Sequence, residues 1–166
     1  RGGAAIAFVC ELDERVRELW VVSSDNDGGE GTMVARGDIV AGPNAVGLDN
    51  DLIALGERTD AGRHVLRVRR IADGSVAAEL GPGLTAAWTP SRPFLVVAAN
   101  DRRGRCQLWA VELASPHRRS QLTYLETGNM RTCAVSPDGK WAVSSAEGAP
   151  EPTLVFTDLS RVRFEH

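Results

Sequence analysis

The sequence predicts an all-β protein made of repeated units of four antiparallel strands. Short runs of β-branched, aromatic and small apolar residues recur along its 166 residues, separated by Gly, Pro, Asp and Asn, which is typical of many short strands. Two kinds of strand each return after 43 to 47 residues, and a helical period is hard to find. Four strands in a unit of this length is the pattern of a β-propeller blade. The sequence therefore predicts about four such blades.

The two best-defined strands of each unit form a hairpin. The first strand starts at intervals of 47, 43 and 47 residues, and its copies are residues 5–8, 52–55, 95–98 and 142–145. The second strand starts at intervals of 46, 43 and 46 residues, and its copies are residues 19–22, 65–68, 108–111 and 154–157. The stretches between them are rich in turn residues. Because two sets of strands keep one period, we expect a repeated hairpin.

Two further strands complete each unit. An innermost strand is predicted at residues 86–89 and 133–136, and a weaker one at residues 45–48. A more polar outermost strand is predicted at residues 32–35, 76–80 and 120–124. We therefore expect one propeller segment over residues 1–166, with blades at about 1–38, 39–83, 84–129 and 130–166. Trp20 and Trp109 hold the same place in their units and are predicted to pack between blades.

One segment carries a recognisable repeat. Residues 134–145 and 153–159 read AVSPDGKWAVSS and TLVFTDL. This segment resembles the TolB-like propeller repeat, also called PD40, a WD40-like repeat in which an S-P-D-G turn joins two strands and a later strand ends in Asp-Leu. Residues 88–113 carry a degenerate copy, and the first two units carry weak ones. The resemblance covers nearly the whole chain and implies propeller blades throughout.

The turn of this repeat is Ser136-Pro137-Asp138-Gly139. Proline fixes φ where the chain enters the turn, aspartate can accept hydrogen bonds from backbone amides, and glycine supplies the left-handed conformation. This composition explains how a hairpin is made and predicts no reaction. We therefore interpret these four residues as a structural turn motif.

The resemblance implies two functions. Some proteins with this repeat are TolB-type scaffolds, and others are propellers that gate the catalytic domain of prolyl-oligopeptidase-like serine peptidases (the S9 type). The first implies a non-catalytic scaffold that binds a protein or peptide partner through loops on one face. The second implies the substrate-gating propeller of a larger hydrolase. We favour the scaffold, because the chain has no catalytic constellation and no Gly-x-Ser-x-Gly pentapeptide for a nucleophile elbow.

No catalytic, cofactor-binding or metal-binding residue is predicted. The three histidines are scattered, at His64, His117 and His166. The three cysteines, at Cys10, Cys106 and Cys133, form no CxxC motif and are expected to be small buried apolar residues. Residues 25–30 superficially resemble a calcium loop, but the fifth and sixth positions do not fit an EF-hand, so we expect a simple turn.

Charge and hydropathy exclude two kinds of partner. The net charge of −3 argues against a nucleic-acid-binding protein. The one basic run, Arg63, Arg67, Arg69 and Arg70, is predicted to be a solvated outer face. No apolar run has the length of a membrane span. The cytoplasm and the periplasm both stay open as compartments.

The predicted blades form an incomplete ring. The first unit lacks an innermost strand, and residues 161–166 provide only a stub of an outermost one. Four blades is also the lower limit for a closed propeller, and an open arc exposes apolar sheet faces. We therefore expect part of a larger ring of six to eight blades, completed by the missing remainder of the propeller or by a homodimer. The isolated chain is then expected to associate.

Overall fold

The structure is a computed structural model that describes residues 5–23, 31–42, 45–47, 51–90, 92–116, 118–148 and 153–164. Over these ranges the chain forms strands and turns and contains no helix. Consistent with this, the described residues include no helix long and apolar enough to cross a membrane. The all-β class predicted from the sequence is confirmed.

The described strands form four antiparallel sheets in chain order, each made of consecutive strands. Sheet 1 contains β1 (Ala5–Glu11), β2 (Arg17–Ser23) and β3 (Thr32–Gly37). Sheet 2 contains β4 (Ile39–Val40), β5 (Leu52–Arg58), β6 (His64–Arg70) and β7 (Val76–Pro82). Sheet 3 contains β8 (Thr85–Trp88), β9 (Phe94–Asn100), β10 (Cys106–Glu112) and β11 (Arg119–Gln121). Sheet 4 contains β12 (Asn129–Val135), β13 (Trp141–Glu147) and β14 (Thr153–Asp158).

Apolar clusters lie between successive sheets and hold them face to face. Between sheets 1 and 2, the cluster contains Leu19 and Ile53. Between sheets 2 and 3 it contains Leu66 and Leu95. Between sheets 3 and 4 it contains Leu108 and Met130. Neighbouring side chains of a strand point to opposite faces, so a sheet in the middle of the stack can be buried on both. In β9, Leu95 and Val97 pack toward sheet 2, whereas Val96 and Ala98 pack toward sheet 4.

The packing corrects the sequence repeat by one residue between the second and third units. The repeat equated Leu52 with Leu95. However, Leu52 packs toward sheet 3, whereas Leu95 packs back toward sheet 2. Leu52 corresponds instead to Phe94, which also packs toward the following sheet. A shift of one residue moves a side chain to the opposite face of a strand, so strand periodicity alone did not fix which face each residue covers.

Two predicted strands differ from the structure in extent. The sequence predicted the innermost strand of sheet 2 at residues 45–48, but the described residues of that stretch form only an isolated bridge between Val46 and Ile53. The innermost strand lies earlier in the chain, as β4. The outermost strand of sheet 3 ends at Gln121 instead of continuing to residue 124. Beyond it, the amide of Leu122 still donates to the carbonyl oxygen of Leu108 (2.8 Å), but the amide of Leu108 donates to the hydroxyl of Thr123 (2.9 Å), so a side chain replaces one of the backbone hydrogen bonds there.

Candidate functional site

The SPDG turn joins β12 to β13 and is closed by its own polar groups. The hydroxyl of Ser136 donates to Asp138 Oδ1 (2.6 Å) and accepts a hydrogen bond from the amide of Trp141 (3.0 Å). The amide of Lys140 also donates to Asp138 Oδ1 (3.1 Å). These hydrogen bonds, that from Ser136 first, hold the pKa of Asp138 below its ordinary value. The turn therefore uses its polar atoms to define a hairpin.

The same turn contacts the preceding sheet. Gly139 has a φ of +67°, and a Cβ placed on it would lie 2.8 Å from the carbonyl oxygen of Pro90. Pro90 lies in the corresponding turn of sheet 3, between β8 and β9. Only glycine satisfies both the left-handed conformation and this close approach. The motif thus sets the distance between two neighbouring turns.

A groove of about 560 Å³ lies at the opposite end of sheet 3 from these turns. One side is the β9–β10 turn, residues 101–105, and the other is the segment at residues 121–126 that follows β11. Trp109 and Tyr124 supply aromatic surface, and Arg102 and Arg103 supply positive charge. Among the grooves of the described chain, this one combines aromatic side chains with arginines.

The β9–β10 turn is held rigidly. Asp101 Oδ1 accepts hydrogen bonds from the amides of Arg105 (3.0 Å) and Arg103 (2.8 Å), which lower the pKa of Asp101. Arg105 Nη1 donates to the carbonyl oxygen of Glu126 (2.5 Å) and so joins the two sides of the groove. The exposed guanidinium groups of Arg102 and Arg103 make no hydrogen bond or ion pair with any residue that the structure describes. Their charges therefore face solvent at the groove.

The other side of the groove is fixed by a buried amide. Gln107 has no exposed surface, and its Nε2 donates to the carbonyl oxygen of Leu125 (3.1 Å). Its Oε1 accepts from the amide of Leu125 (3.0 Å) and from the hydroxyl of Thr123 (2.9 Å). Tyr124 lies between these two anchored residues and is 75% exposed. A large aromatic side chain is thus presented to solvent from a fixed backbone.

The sequence analysis did not single out this groove. Two signals in the sequence were available. Tyr124 is the one tyrosine of the chain, and Gln107 is a polar residue whose neighbours in β10 are mostly apolar. Neither signal says that the two residues meet, because their contact depends on the path of the segment after β11.

The residues considered for catalysis or metal binding do not converge. His64 begins β6, whereas His117, His166 and the calcium-like stretch at residues 25–30 lie outside the described residues. Within the described ranges, no three His, Cys, Asp or Glu side chains form a group that could hold a metal ion. Burial raises the pKa of Cys106 to about 11 and that of Cys133 to about 12, so both are protonated thiols at neutral pH.

The basic run lies in a partly buried ion network, so the prediction of a solvated outer face was wrong for two of its members. Arg69 donates to Glu57 through Nε (2.5 Å) and Nη2 (2.9 Å), and Arg67 donates to it through Nη1 (2.9 Å). Burial alone would raise the pKa of Glu57, but the hydrogen bonds from Arg69 and Arg67 hold it below its ordinary value. Arg67 also pairs with Glu79 (3.2 Å), so two carboxylates neutralise these two arginines within the chain.

The outer faces of the two end sheets are apolar and exposed. On sheet 4, Leu154 and Phe156 are 63% and 66% exposed, and on sheet 1, Ile6 and Phe8 are 61% and 42% exposed. The sheet 4 face includes a shallow depression of about 570 Å³ beside Trp141. No sheet of the described chain covers either face.

The fold is that of known β-propellers. The chain is similar to TolB from Acinetobacter baumannii, with a TM-score of 0.74 and 15% identity over 97% of this chain and 40% of that one. It is similar to a putative TolB from Agrobacterium tumefaciens, with a TM-score of 0.65 and 15% identity over 98% of this chain and 61% of that one. It is also similar to oligopeptidase B from Leishmania major, with a TM-score of 0.68 and 14% identity over 98% of this chain and 25% of that one.

These likenesses define the architecture. The chain is a segment of a β-propeller, and the resemblance to TolB-like and oligopeptidase propellers that the SPDG repeat indicated is confirmed at the level of the fold. It spans between a quarter and about three fifths of the length of these structures. No protein-family model matches the sequence, and no curated protein matches it either.

Proposed function

We propose that this chain is a non-catalytic propeller scaffold that binds a protein or peptide partner through loops on one face. The observation that carries the proposal is the groove between residues 101–105 and 121–126, where Tyr124 projects from a backbone fixed by Gln107. Tyrosine, tryptophan and arginine dominate the binding energy of protein interfaces. A fixed backbone lowers the entropy cost of binding, because the aromatic side chain is already in place.

The groove is lined by three arginines and by the carboxylates of Asp101 and Glu126, and this excess of positive charge favours an acidic segment. The guanidinium groups of Arg102 and Arg103 form no ion pair with a residue that the structure describes, and a guanidinium binds a carboxylate through two parallel hydrogen bonds. Trp109 and Tyr124 lie beside them and can pack against an apolar or aromatic side chain. The partner segment therefore combines an aspartate or glutamate with a neighbouring aromatic residue.

The surface extends beyond one groove. A second groove of about 330 Å³ lies between sheets 2 and 3, beside Gly62, Gly83 and Asn100. Asn100 adjoins Asp101 of the first groove, so the two open on the same end of the stack. Together they offer a path for several residues of an extended peptide.

A panel of labelled peptides tests this function. The panel pairs peptides that contain Glu beside Phe or Tyr with versions in which Gln replaces Glu. We expect the acidic peptides to bind, and Tyr124→Ala to weaken their affinity by about 30-fold, as for an interface hot spot. Arg161→Glu is the matched surface control, since that side chain is exposed and lies outside the groove. Equal losses in the two variants, or equal binding of the Gln peptides, would contradict the proposal.

A second candidate function is that this chain forms the substrate-gating propeller of a larger serine peptidase. The likeness to oligopeptidase B, of which this chain spans 25%, supports it. Such a protein would carry its nucleophile in a separate catalytic domain, in a Gly-x-Ser-x-Gly turn. Labelling of the full-length gene product with a fluorophosphonate probe tests it. Labelling that a Ser→Ala change in that turn abolishes would support the peptidase, and an unlabelled product would leave the scaffold.

A further inference from the structure

The open face of sheet 4 matches a face that is buried inside the chain. By strand register, Val143 and Phe156 pair as Val96 and Ala110 do in sheet 3, and Leu154 takes the position of Leu108. The three residues of sheet 3 have no exposed surface because sheet 4 covers them. Their counterparts in sheet 4 keep apolar side chains although no sheet of the described chain lies over them. The face is thus built to be covered by another sheet.

The open face of sheet 1 matches the other buried face of sheet 3, the one that packs against the preceding sheet. Phe8 pairs with Trp20 as Val97 pairs with Trp109 in sheet 3, and Ile6 takes the position of Leu95. In sheet 3 these residues pack back toward sheet 2. The sequence predicted that Trp20 and Trp109 pack between blades, and in the single chain this holds for Trp109. Trp20 lies on an open face and donates its indole N–H to Glu18 (3.1 Å).

In each contact between neighbouring sheets, one sheet contributes the face that is open on sheet 4, and the next sheet contributes the face that is open on sheet 1. The two open faces are therefore complementary to each other. We propose that the open face of sheet 4 packs against the open face of sheet 1 of a second copy of this chain. Two copies then make two identical head-to-tail contacts and close a ring. Contacts of this type form rings when the rotation closes. The four described sheets of each copy give eight, which is within the range of known propellers.

The mass of the protein in solution is the primary test. Sedimentation across a range of concentrations is expected to show a species of twice the mass of the chain. Phe156→Arg places a charge in the proposed interface and is expected to weaken association by at least about 100-fold. Val76→Arg is the control, because Val76 is also an exposed apolar residue (45%) but lies on β7 of sheet 2. Phe156 and Phe8 are exposed in the single chain, so both variants are expected to fold, with the circular dichroism of the unaltered protein.

Mixing two variants separates head-to-tail contacts from contacts between identical faces. Phe8→Arg and Phe156→Arg alone each alter both contacts of the ring. A mixture of the two keeps one unaltered contact, between sheet 4 of the first variant and sheet 1 of the second, so pairs are expected to reappear. No recovery on mixing would overturn the head-to-tail arrangement. If the gene product is a monomer, the proposal that a second copy covers these faces is wrong. The same holds if the gene product is longer and its own further sheets cover both faces. Either result leaves the peptide groove unaffected, since none of these residues lines it.

Discussion

The middle and end sheets of this protein share one repeat but differ in what the repeat buries. Leu108 of sheet 3 and Leu154 of sheet 4 occupy the same position in their units. Leu108 has no exposed surface, whereas Leu154 is 63% exposed. An apolar residue in this repeat therefore marks a position in a blade, and the neighbouring sheet decides whether the residue contributes to a core. Within one chain, the same side chain can be compared in both situations.

The largest expected effect comes from the middle sheet. Leu108→Ala removes a fully buried side chain and should lower the free energy of unfolding by about 2–5 kcal/mol, because a cavity adds to the lost burial. Leu154→Ala makes the same chemical change on an open face and should cost less than about 1 kcal/mol. Urea unfolding at concentrations too low for association measures both. Similar losses would mean that something covers sheet 4 in the single chain.

Sheet 2 is stabilised partly by charge, because Glu57 of β5 pairs with Arg67 and Arg69 of β6, so pH sharpens the comparison there. Glu57→Gln weakens the network with Arg67 and Arg69 and should cost about 1–3 kcal/mol at pH 7. The folded pKa of Glu57 lies below its ordinary value of 4.5, so its contribution to stability is complete above 4.5, begins to decrease below it, and is lost as the pH falls through the folded pKa. Unfolding by urea between pH 7 and pH 3 should therefore show the difference between the two proteins shrinking at the acid end.

Glu79→Gln is the matched control for this pH dependence. Glu79 also pairs with Arg67 (3.2 Å), but its side chain is 55% exposed, so its replacement should change stability much less. If the Glu57→Gln protein kept the same deficit from pH 7 to pH 3, the ionised form of Glu57 would not be the source of the stabilisation.

The contact between the turns of sheets 3 and 4 should have an intermediate effect. Gly139→Ala meets both the left-handed φ and the nearby oxygen of Pro90, and should cost about 2 kcal/mol. Gly104→Ala is its control, because Gly104 has a φ of +76° with nothing within 4 Å of the added Cβ, and should cost about 1 kcal/mol. The difference in unfolding free energy isolates the contact between sheets. Equal costs would show that the two turns move apart freely.

The sequence predicted the parts of this fold that depend on local chemistry. Turn residues and apolar strands return with each blade, so the hairpins and the stacking of sheets could be inferred from one chain. The side of the sheet on which each residue lies was harder to infer, because Leu52 and Leu95 look equivalent in the sequence and only the packing shows that they lie on opposite faces. The groove was missed for a related reason. Its walls meet only because Gln107 holds Leu125 across 18 residues, and no local pattern records such a contact.

The smallest expected effect lies in the SPDG turn itself, at the inner edge of an end sheet. Ser136→Ala removes the hydroxyl that bonds Asp138 and the amide of Trp141, and should cost about 1 kcal/mol in urea unfolding. Ser136→Thr keeps a hydroxyl and should restore most of it, since Thr89 occupies the corresponding place in sheet 3. Thr89 is buried and its hydroxyl donates to the carbonyl oxygen of Phe94, whereas Ser136 is only half-buried. If Ser136→Ala cost as much as a change in the core, the turn would be supporting the whole of sheet 4, and the end sheet would depend on this hairpin more than on its packing against sheet 3.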